Sequence, residues 1–417
     1  MSLSSLDSTP EAFVTRLSSF VDEWVAPHAE RLDRGNLFLP EVYRAGADLG
    51  LLELLVTPDG TLDLSTTPLV HESTEAISTH SPAVALQLSG TRLVAYLLAR
   101  YAPAAVRERW LPDLLAGSTF GSFAITEPHA GTDVRGITTV ARRRGGDLVL
   151  SGAKCWIGYA PVAAFAIVLA KLDGDERGAP TAAVVVDTSL PGVERRQGAE
   201  LSGFRGMPNG ELRFRDVVVR ADQVLQVEGF AGMMDGLNLA RIEAASYACG
   251  LVRGALEASV ERAATRQAFG APIGDLPSIQ AKLGRMLVDY HAARGLTLAA
   301  ATSFQDGRGG DQDVISVAKL AAGDMARLHT DAAMQVHAAS GIAAWSRVER
   351  MHRDAKVTQV FDGTSEIHET MLGRRMVRAR LRDGHLGAPY LPAGQALPPP
   401  GAGQWHHSTT GQEGSRR

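Results

Sequence analysis

Residues 353–375, RDAKVTQVFDGTSEIHETMLGRR, hold the junction around which the rest of the chain can be ordered. Arg353–Val360 reads as the basic, partly apolar end of a helix or extended segment. Phe361-Asp362-Gly363-Thr364 reads as a tight turn. A helix starts after it, with Thr364 as N-cap and Glu366 in the first turn, where negative charge suits the helix dipole. Gly363 beside the cap points to a conformation or close approach that a Cβ would block. Asp362 thus precedes a helix N-terminus whose free N–H groups can hold a phosphate or other anion. Taken alone, the same residues also describe an ordinary loop-to-helix junction.

Composition narrows the classes. With 417 residues, 45% of them apolar and 21% charged, the chain can bury a large core in one to three domains. A net charge of −4 argues against a nucleic-acid partner or a polybasic membrane contact. The two cysteines, Cys155 and Cys249, are far apart in apolar company, so neither a disulfide framework nor a metal site is expected, and a reducing cytoplasm fits. MSLSSLDSTPEAF lacks the basic and apolar regions of a secretory signal. The longest apolar run, Ala160–Ala170, is about half of what spans a bilayer, so no membrane insertion is expected.

The hydrophobic period changes twice along the chain. Up to residue 116 it is helical: Phe13, Leu17, Phe20, Val21 and Trp24 form one stripe, interrupted at Pro27 and 33–40. Glu41–Leu52, Val84–Tyr101 and Ala105–Leu115 continue the helical pattern. Between 117 and 230 short runs rich in Val, Ile, Phe and Thr take over: Phe120–Thr126, Thr138–Arg142, Leu148–Ser151, Phe165–Leu172, Thr181–Asp187 and Glu211–Val217. Arg144-Gly145-Gly146-Asp147 supplies a hairpin turn. From 231 to 383 long helices return, with stripes on Ala245, Cys249, Val252, Leu256 and Val260, on Ile279, Leu283, Met286, Leu287 and Tyr290, and on Val314, Val317, Leu320 and Leu328. With the helix after Thr364 they predict a four-helix bundle. Residues 384–417 are rich in Gly, Pro, Gln and Ser and are expected to be a disordered tail. The fold class is α+β: an N-terminal helical domain, a central β domain and a C-terminal four-helix bundle.

No GxGxxG, P-loop, HExxH or GxSxG pattern is present, which argues against a simple Rossmann dehydrogenase or serine hydrolase. Three further stretches invite chemistry, each beside a plainer reading. Phe123–Asp133, FAITEPHAGTD, runs a strand into a turn whose hydroxyls and N–H groups suit a polar heterocycle or a phosphate, or it is a capped strand corner. Ala153–Gly158, AKCWIG, is a strand end with one large aromatic, which could equally be a core Trp. Arg266–Gly270, RQAFG, puts an Arg at a helix C-terminus, where the dipole already favours it.

Taken together and in this order, the four stretches resemble the acyl-CoA dehydrogenase family over roughly residues 10–380. Thr126-Glu127-Pro128…Gly131-Thr132-Asp133 is similar to its TEPxxGSD-like element, Lys154–Gly158 to K-x-W-I-T, Arg266–Gly270 to R-x-x-F-G, and Asp362–Ile367 to EGT-S-E-I. The resemblance implies the same three-domain fold, a homotetramer, and FAD bound between the β domain and the bundle. Phe123, Ile125, Thr126 and Thr132 would then lie along the isoalloxazine ring, with Trp156 and Gly158 beside it. Arg266 and Phe269 would reach the pyrophosphate and adenosine half of a neighbouring subunit's flavin, near Gln280 and Gln335. Thr364 and Glu366 would meet the flavin at the helix N-terminus, and Arg241 and Gly363 would stand near the substrate.

The implied reaction is α,β-dehydrogenation of an acyl thioester carried on coenzyme A or an acyl carrier protein. Asp362 would take the α-proton while the β-hydrogen leaves as hydride to flavin N5, and an electron-transfer flavoprotein or similar acceptor would reoxidise the flavin. Two departures from the pattern matter most, at Asp362 and at Gly158. The base is usually Glu, and Asp362 is about 1.5 Å shorter; about 1 Å of misplacement can cost around a hundredfold in rate. Some members carry the base just before the residue matching Arg241, where this chain has Ala240, so Glu243 is the one obvious substitute. Gly158 stands where a Thr or Ser hydroxyl is common, and Ala338-Ala339-Ser340-Gly341 replaces a Gly-Gly-x-Gly run. A flavin monooxygenase or oxidase on this fold is the alternative, which the retained Asp362 disfavours; a catalytically weakened flavoprotein is the other.

Overall fold

The computed structural model describes residues 10–174 and 176–383; the expected tail at 384–417 lies outside them. The described residues divide into two units, one up to Thr370 and one from Met371 on.

In the first unit, the N-terminal helices are α1 (Pro10–Phe20), α2 (Ala29–Gly35), α3 (Pro40–Asp48), α4 (Thr67–Ser78), α5 (Pro82–Tyr101) and α6 (Ala104–Leu115). Pro27 does not end the first stripe: a π turn at Val21–Val25 and a 3-10 turn at Ala26–His28 carry the chain into α2. Phe13, Leu17, Phe20 and Val21 are buried as the spacing predicts, whereas Trp24 sits at the edge of the stripe and stacks on His28. Helix α4 shows no apolar stripe because its buried face is polar: His71, Ser73, Thr74 and Glu75 are all buried. Helix α5 is long and apolar enough to cross a membrane by length and composition, yet 83% of that window is buried inside the protein.

Seven strands follow: β1 (Gly121–Ala124), β2 (Val140–Arg144), β3 (Asp147–Gly158), β4 (Phe165–Leu172), β5 (Thr181–Asp187), β6 (Val193–Gln197) and β7 (Asn209–Arg220). They form one sheet in the order β1-β4-β2-β3-β7-β6, with β5 paired to β4. Strands β2 and β3 form the expected hairpin, with Arg144 opposite Asp147 and Gly145 at φ +65. Strand β3 is longer than its sequence suggests and runs through the AKCWIG stretch, with register shifts between Leu150 and Gly152 and between Lys154 and Ile157. Strand β6, VERRQ, has no apolar alternation to reveal it and occupies an edge.

Helices α7 (Gly229–Thr265), α8 (Pro277–Phe304) and α9 (Gln312–His337) pack on one another, and α10 (Arg347–Thr358) packs on α7 and α9. Between α7 and α8 runs the short hairpin β8 (Gln267–Ala268) and β9 (Ala271–Pro272). Helix α11 (Ser365–Asp383) begins after the Asp362 turn, and its residues from Met371 on belong to the second unit. The buried face of α9 differs from the bulky stripe read in its sequence. It is Ile315, Ala318, Ala322, Ala326 and Ala333, while Leu328 is exposed. Alanines let helix axes approach closely, so the small residues face inward.

Candidate active site

The turn after α10 is held by cations that grip its backbone. Asp362 takes a left-handed φ of +56, which Asp tolerates better than most residues. Gly363 has φ +104, and a Cβ there would come within 3.0 Å of His368 Nε2. The Asp362 carbonyl accepts from Arg241 Nε at 3.0 Å, and the Gly363 carbonyl accepts from Lys319 Nζ. Arg241 also donates to Asn238 Oδ1 at 3.1 Å. Ser365 N–H donates back to Gln359 at 3.0 Å, and the first helical N–H groups of Ile367 and His368 bond the Thr364 carbonyl. Among the described residues the Asp362 N–H has no backbone acceptor.

The carboxyl of Asp362 is thereby left chemically available. The protein packed around it raises its pKa to about 6; Lys319 and Arg241 pull the other way, and Glu243 adds to the rise. Lys319, buried on α9, is itself pushed down to about 8 by burial, with Asp362 opposing that fall. His368 is fully buried and held neutral near pKa 3 by burial and by the Arg241 and Lys319 charges. Neither Lys319 nor His368 stands out by motif. The available signal is a lone Lys on the Ile315–Ala322 face of α9, since Lys is almost never buried unless paired.

Glu243, the sequence's substitute base, has its carboxylate oxygens already engaged. Its Oε2 accepts from Arg92 Nη2 at 2.7 Å and from Thr74 Oγ1 at 2.9 Å, and its Oε1 accepts from Arg92 Nε at 3.2 Å. Arg92 also donates to Leu51 O at 3.1 Å. Both partners are buried, so this carboxylate is committed to a closed ion pair.

The β-sheet stretches form a second face. Glu127 is buried and accepts from Thr138 N–H at 2.7 Å, Thr139 N–H at 2.9 Å and Lys154 Nζ at 2.9 Å. Burial would raise its pKa, but Lys154 and these donors hold it down at about 2. Lys154 also donates to Ile125 O at 2.7 Å, which locks the end of β1 to β3. Cys155 N–H donates to Thr126 O at 3.0 Å, placing Thr126 beside the β3 bulge. On that bulge Trp156 takes φ +59 and is 60% exposed, so it is not a core residue. Phe123 and Thr126 are half-buried, Ile125 is buried, and Thr132 is exposed on the following loop. An open indole next to a loop that carries the Thr126 and Thr132 hydroxyls fits a flat polar heterocycle. At Gly158 a Cβ would meet Met207 Cε at 2.9 Å, so a methionine tip crowds the space of the missing side chain. The Gly158 carbonyl accepts from Ser122 Oγ at 2.8 Å.

The remaining residues lie elsewhere. Arg266 caps the end of α7 and is exposed. Phe269 and Gly270 both take positive φ, +53 and +84, as a two-residue hairpin turn requires, and Phe269 is 95% exposed. Gln280 donates to Gly274 O at 2.9 Å at the start of α8, and Gln335 is exposed near the end of α9. Ala338 keeps φ +53, a glycine-like conformation retained without the glycine. Such strain costs about 1–3 kcal/mol. Glu366 is exposed, and hydrogen bonds from its own N–H and from Thr364 hold its pKa down.

Three family models match in succession: the N-terminal domain of acyl-CoA dehydrogenase over residues 7–118, its middle domain over 122–217 and its C-terminal domain over 227–377. The chain belongs to the acyl-CoA dehydrogenase family. Among its relatives, cyclohex-1-ene-1-carbonyl-CoA dehydrogenase of Syntrophus aciditrophicus is 34% identical over 360 residues, covering 85% of this chain and 86% of that protein. The structure of a glutaryl-CoA dehydrogenase–glutaryl-CoA complex superposes with a TM-score of 0.85 at 28% identity, over 90% of this chain and 97% of that one. The Mycobacterium smegmatis glutaryl-CoA dehydrogenase in complex with FADH2 shares the acyl-CoA dehydrogenase fold at TM-score 0.81 and 24% identity, over 91% and 95%.

Proposed function

We propose that this chain catalyses FAD-dependent α,β-dehydrogenation of an acyl thioester, with Asp362 as the base. It is an oxidoreductase acting on CH–CH groups. The observation that carries the assignment of the base is the contrast around its carboxyl: Arg241 and Lys319 bond the carbonyls of Asp362 and Gly363, while the carboxyl itself is poised near pKa 6. A base whose pKa lies near the working pH combines a large ionised fraction with good proton affinity. The left-handed turn and the two bonded carbonyls fix the backbone from which this shorter side chain projects, so its carboxyl is held in one place. The Asp362 N–H is available to a thioester oxygen, where it would acidify the α-proton.

FAD, when bound, supplies the hydride acceptor. The residues that would hold it are Trp156, Phe123, Ile125, Thr126, Thr132 and the backbone at Gly158 on the sheet side, with Thr364 and Glu366 at the start of α11. Arg266, Phe269, Gln280 and Gln335 would serve a neighbour's flavin. An almost fully exposed Phe269, with Ile342 and Trp345 also exposed, supports assembly as a homotetramer. An acyl-CoA substrate, an electron-transfer flavoprotein acceptor and a cytoplasmic setting complete this reading. So does a division at about 116/117 and 230/231, which falls just before β1 and just inside α7.

Anaerobic mixing of the FAD-loaded protein with thioesters on coenzyme A and on carrier protein tests the reaction and the carrier together. Bleaching of the flavin without added reductant is the expected result. A folded protein that takes up no FAD, or whose flavin no thioester reduces, overturns the reading.

A further inference from the structure

Granted the dehydrogenase reading, the residues behind Asp362 limit which acyl group fits. The pantetheine arm of a thioester is long and polar and has to lead out to solvent. On that reading the acyl tail would run from the α-carbon inward, past the Asp362 turn. Three aromatic rings lie there. Phe361, the residue before the base, stacks on Tyr247 with centroids 5.9 Å apart and planes 17° apart. It meets Phe204 edge-on at 5.6 Å, and Phe204 meets Tyr247 edge-on at the same distance. Phe204 and Tyr247 are each 1% exposed.

Each part of this cluster is pinned from a different element. Phe204 takes φ +53, and its N–H donates to Asp354 of α10 at 2.6 Å. The adjoining Gly203 sits against the α10 backbone, where a Cβ would come within 2.5 Å of Arg353 O. The Tyr247 hydroxyl is hydrogen-bonded to Ser89 of α5. One turn away on the same helices, Glu243 and Arg92 form their closed ion pair. Close-packed interiors resist even small added volume, and an ion pair opened by a passing chain leaves two buried charges exposed to apolar surroundings. A long straight chain has to displace these groups, and a short one does not.

We propose that Phe204, Tyr247 and Phe361, backed by the Arg92–Glu243 pair, form the end wall of the acyl site and restrict the enzyme to compact acyl thioesters. Single-turnover flavin reduction is the readout, measured anaerobically with butyryl, hexanoyl, octanoyl and palmitoyl groups, each on coenzyme A and on carrier protein. On whichever carrier reacts, octanoyl should be slower than butyryl by at least about 100-fold, since the four added methylenes have no room and one misfit methylene alone is worth about 10- to 200-fold. Phe204→Ala should narrow that ratio by at least about tenfold through a gain with octanoyl, and Phe204→Leu should do so in part should the larger truncation fail to fold. Equal rates with octanoyl and butyryl in the wild type, or an unchanged ratio in the folded Phe204 variants, overturn the end wall and leave the dehydrogenase reading standing. Reduction by no thioester on either carrier overturns that reading and the wall with it.

Discussion

Glu127 and Asp362 each lie near a buried lysine, Lys154 on β3 and Lys319 on α9, and the two lysines act differently. Lys154 bonds the Glu127 carboxylate directly, with backbone donors of Thr138 and Thr139 filling other positions on its oxygens. That carboxylate is held at about pKa 2 and fastens two strands. Lys319 bonds the carbonyl next to Asp362 and leaves the carboxyl to respond to burial, which raises it to about 6. The two lysines are equally buried; the atom that each grips is what differs. A carboxylate whose oxygens are filled is structural, and one whose backbone alone is held keeps its proton chemistry.

The sharpest break of this contrast is Asp362→Asn, which keeps the shape and removes the basicity. Flavin reduction by a reactive thioester should fall by about 10²- to 10⁴-fold, the usual worth of a general base, while FAD content is unchanged. Because the Asp362 pKa is higher folded than in the unfolded chain, its ionisation costs stability as pH rises through about 6. The Asn variant should therefore melt higher than wild type at pH 8 and gain little at pH 4.

Lys154→Met tests the other side. Removing one partner of a buried pair costs about 3–5 kcal/mol, so urea unfolding should move by that amount, with any activity loss following the loss of folded protein. Glu127 has the opposite linkage to Asp362: its stabilisation is complete above the ordinary value of 4.5 and is lost as pH falls toward 2. Acid unfolding of the wild type should begin within that window.

The smallest expected effect is that of Lys319→Met. Lys319 lowers the Asp362 pKa, so its loss should move the acidic limb of the rate profile upward, within about one unit, and slow reduction at neutral pH by no more than about tenfold. A downward shift would mean that Lys319 acts on something other than this carboxyl.

The parts of this arrangement that were legible in the sequence are local. The turn at Asp362-Gly363-Thr364, the hairpin at Gly145-Gly146 and the polar loop after β1 each declare themselves through residues a few positions apart. What stayed hidden depends on distant partners. Glu243 looked like a spare base because Arg92 and Thr74, which close it, are 151 and 169 residues away. Helix α4 carried no stripe because its buried face is polar, and α9 misled because alanines, not its bulkier residues, face the core. Trp156 could not be assigned to core or surface until the β3 bulge, with its positive φ, turned the ring outward.

The claim that Asp362 is an unpaired, burial-raised base is tested most directly by the pH dependence of the apparent second-order rate constant for flavin reduction. This quantity reports the free enzyme's groups. The account predicts a rate that climbs through about pH 6 and then levels, with that limb and nearly all the rate lost in Asp362→Asn. A limb at the ordinary aspartate value of 3.8, or an Asn variant that keeps both the rate and the limb, would contradict it.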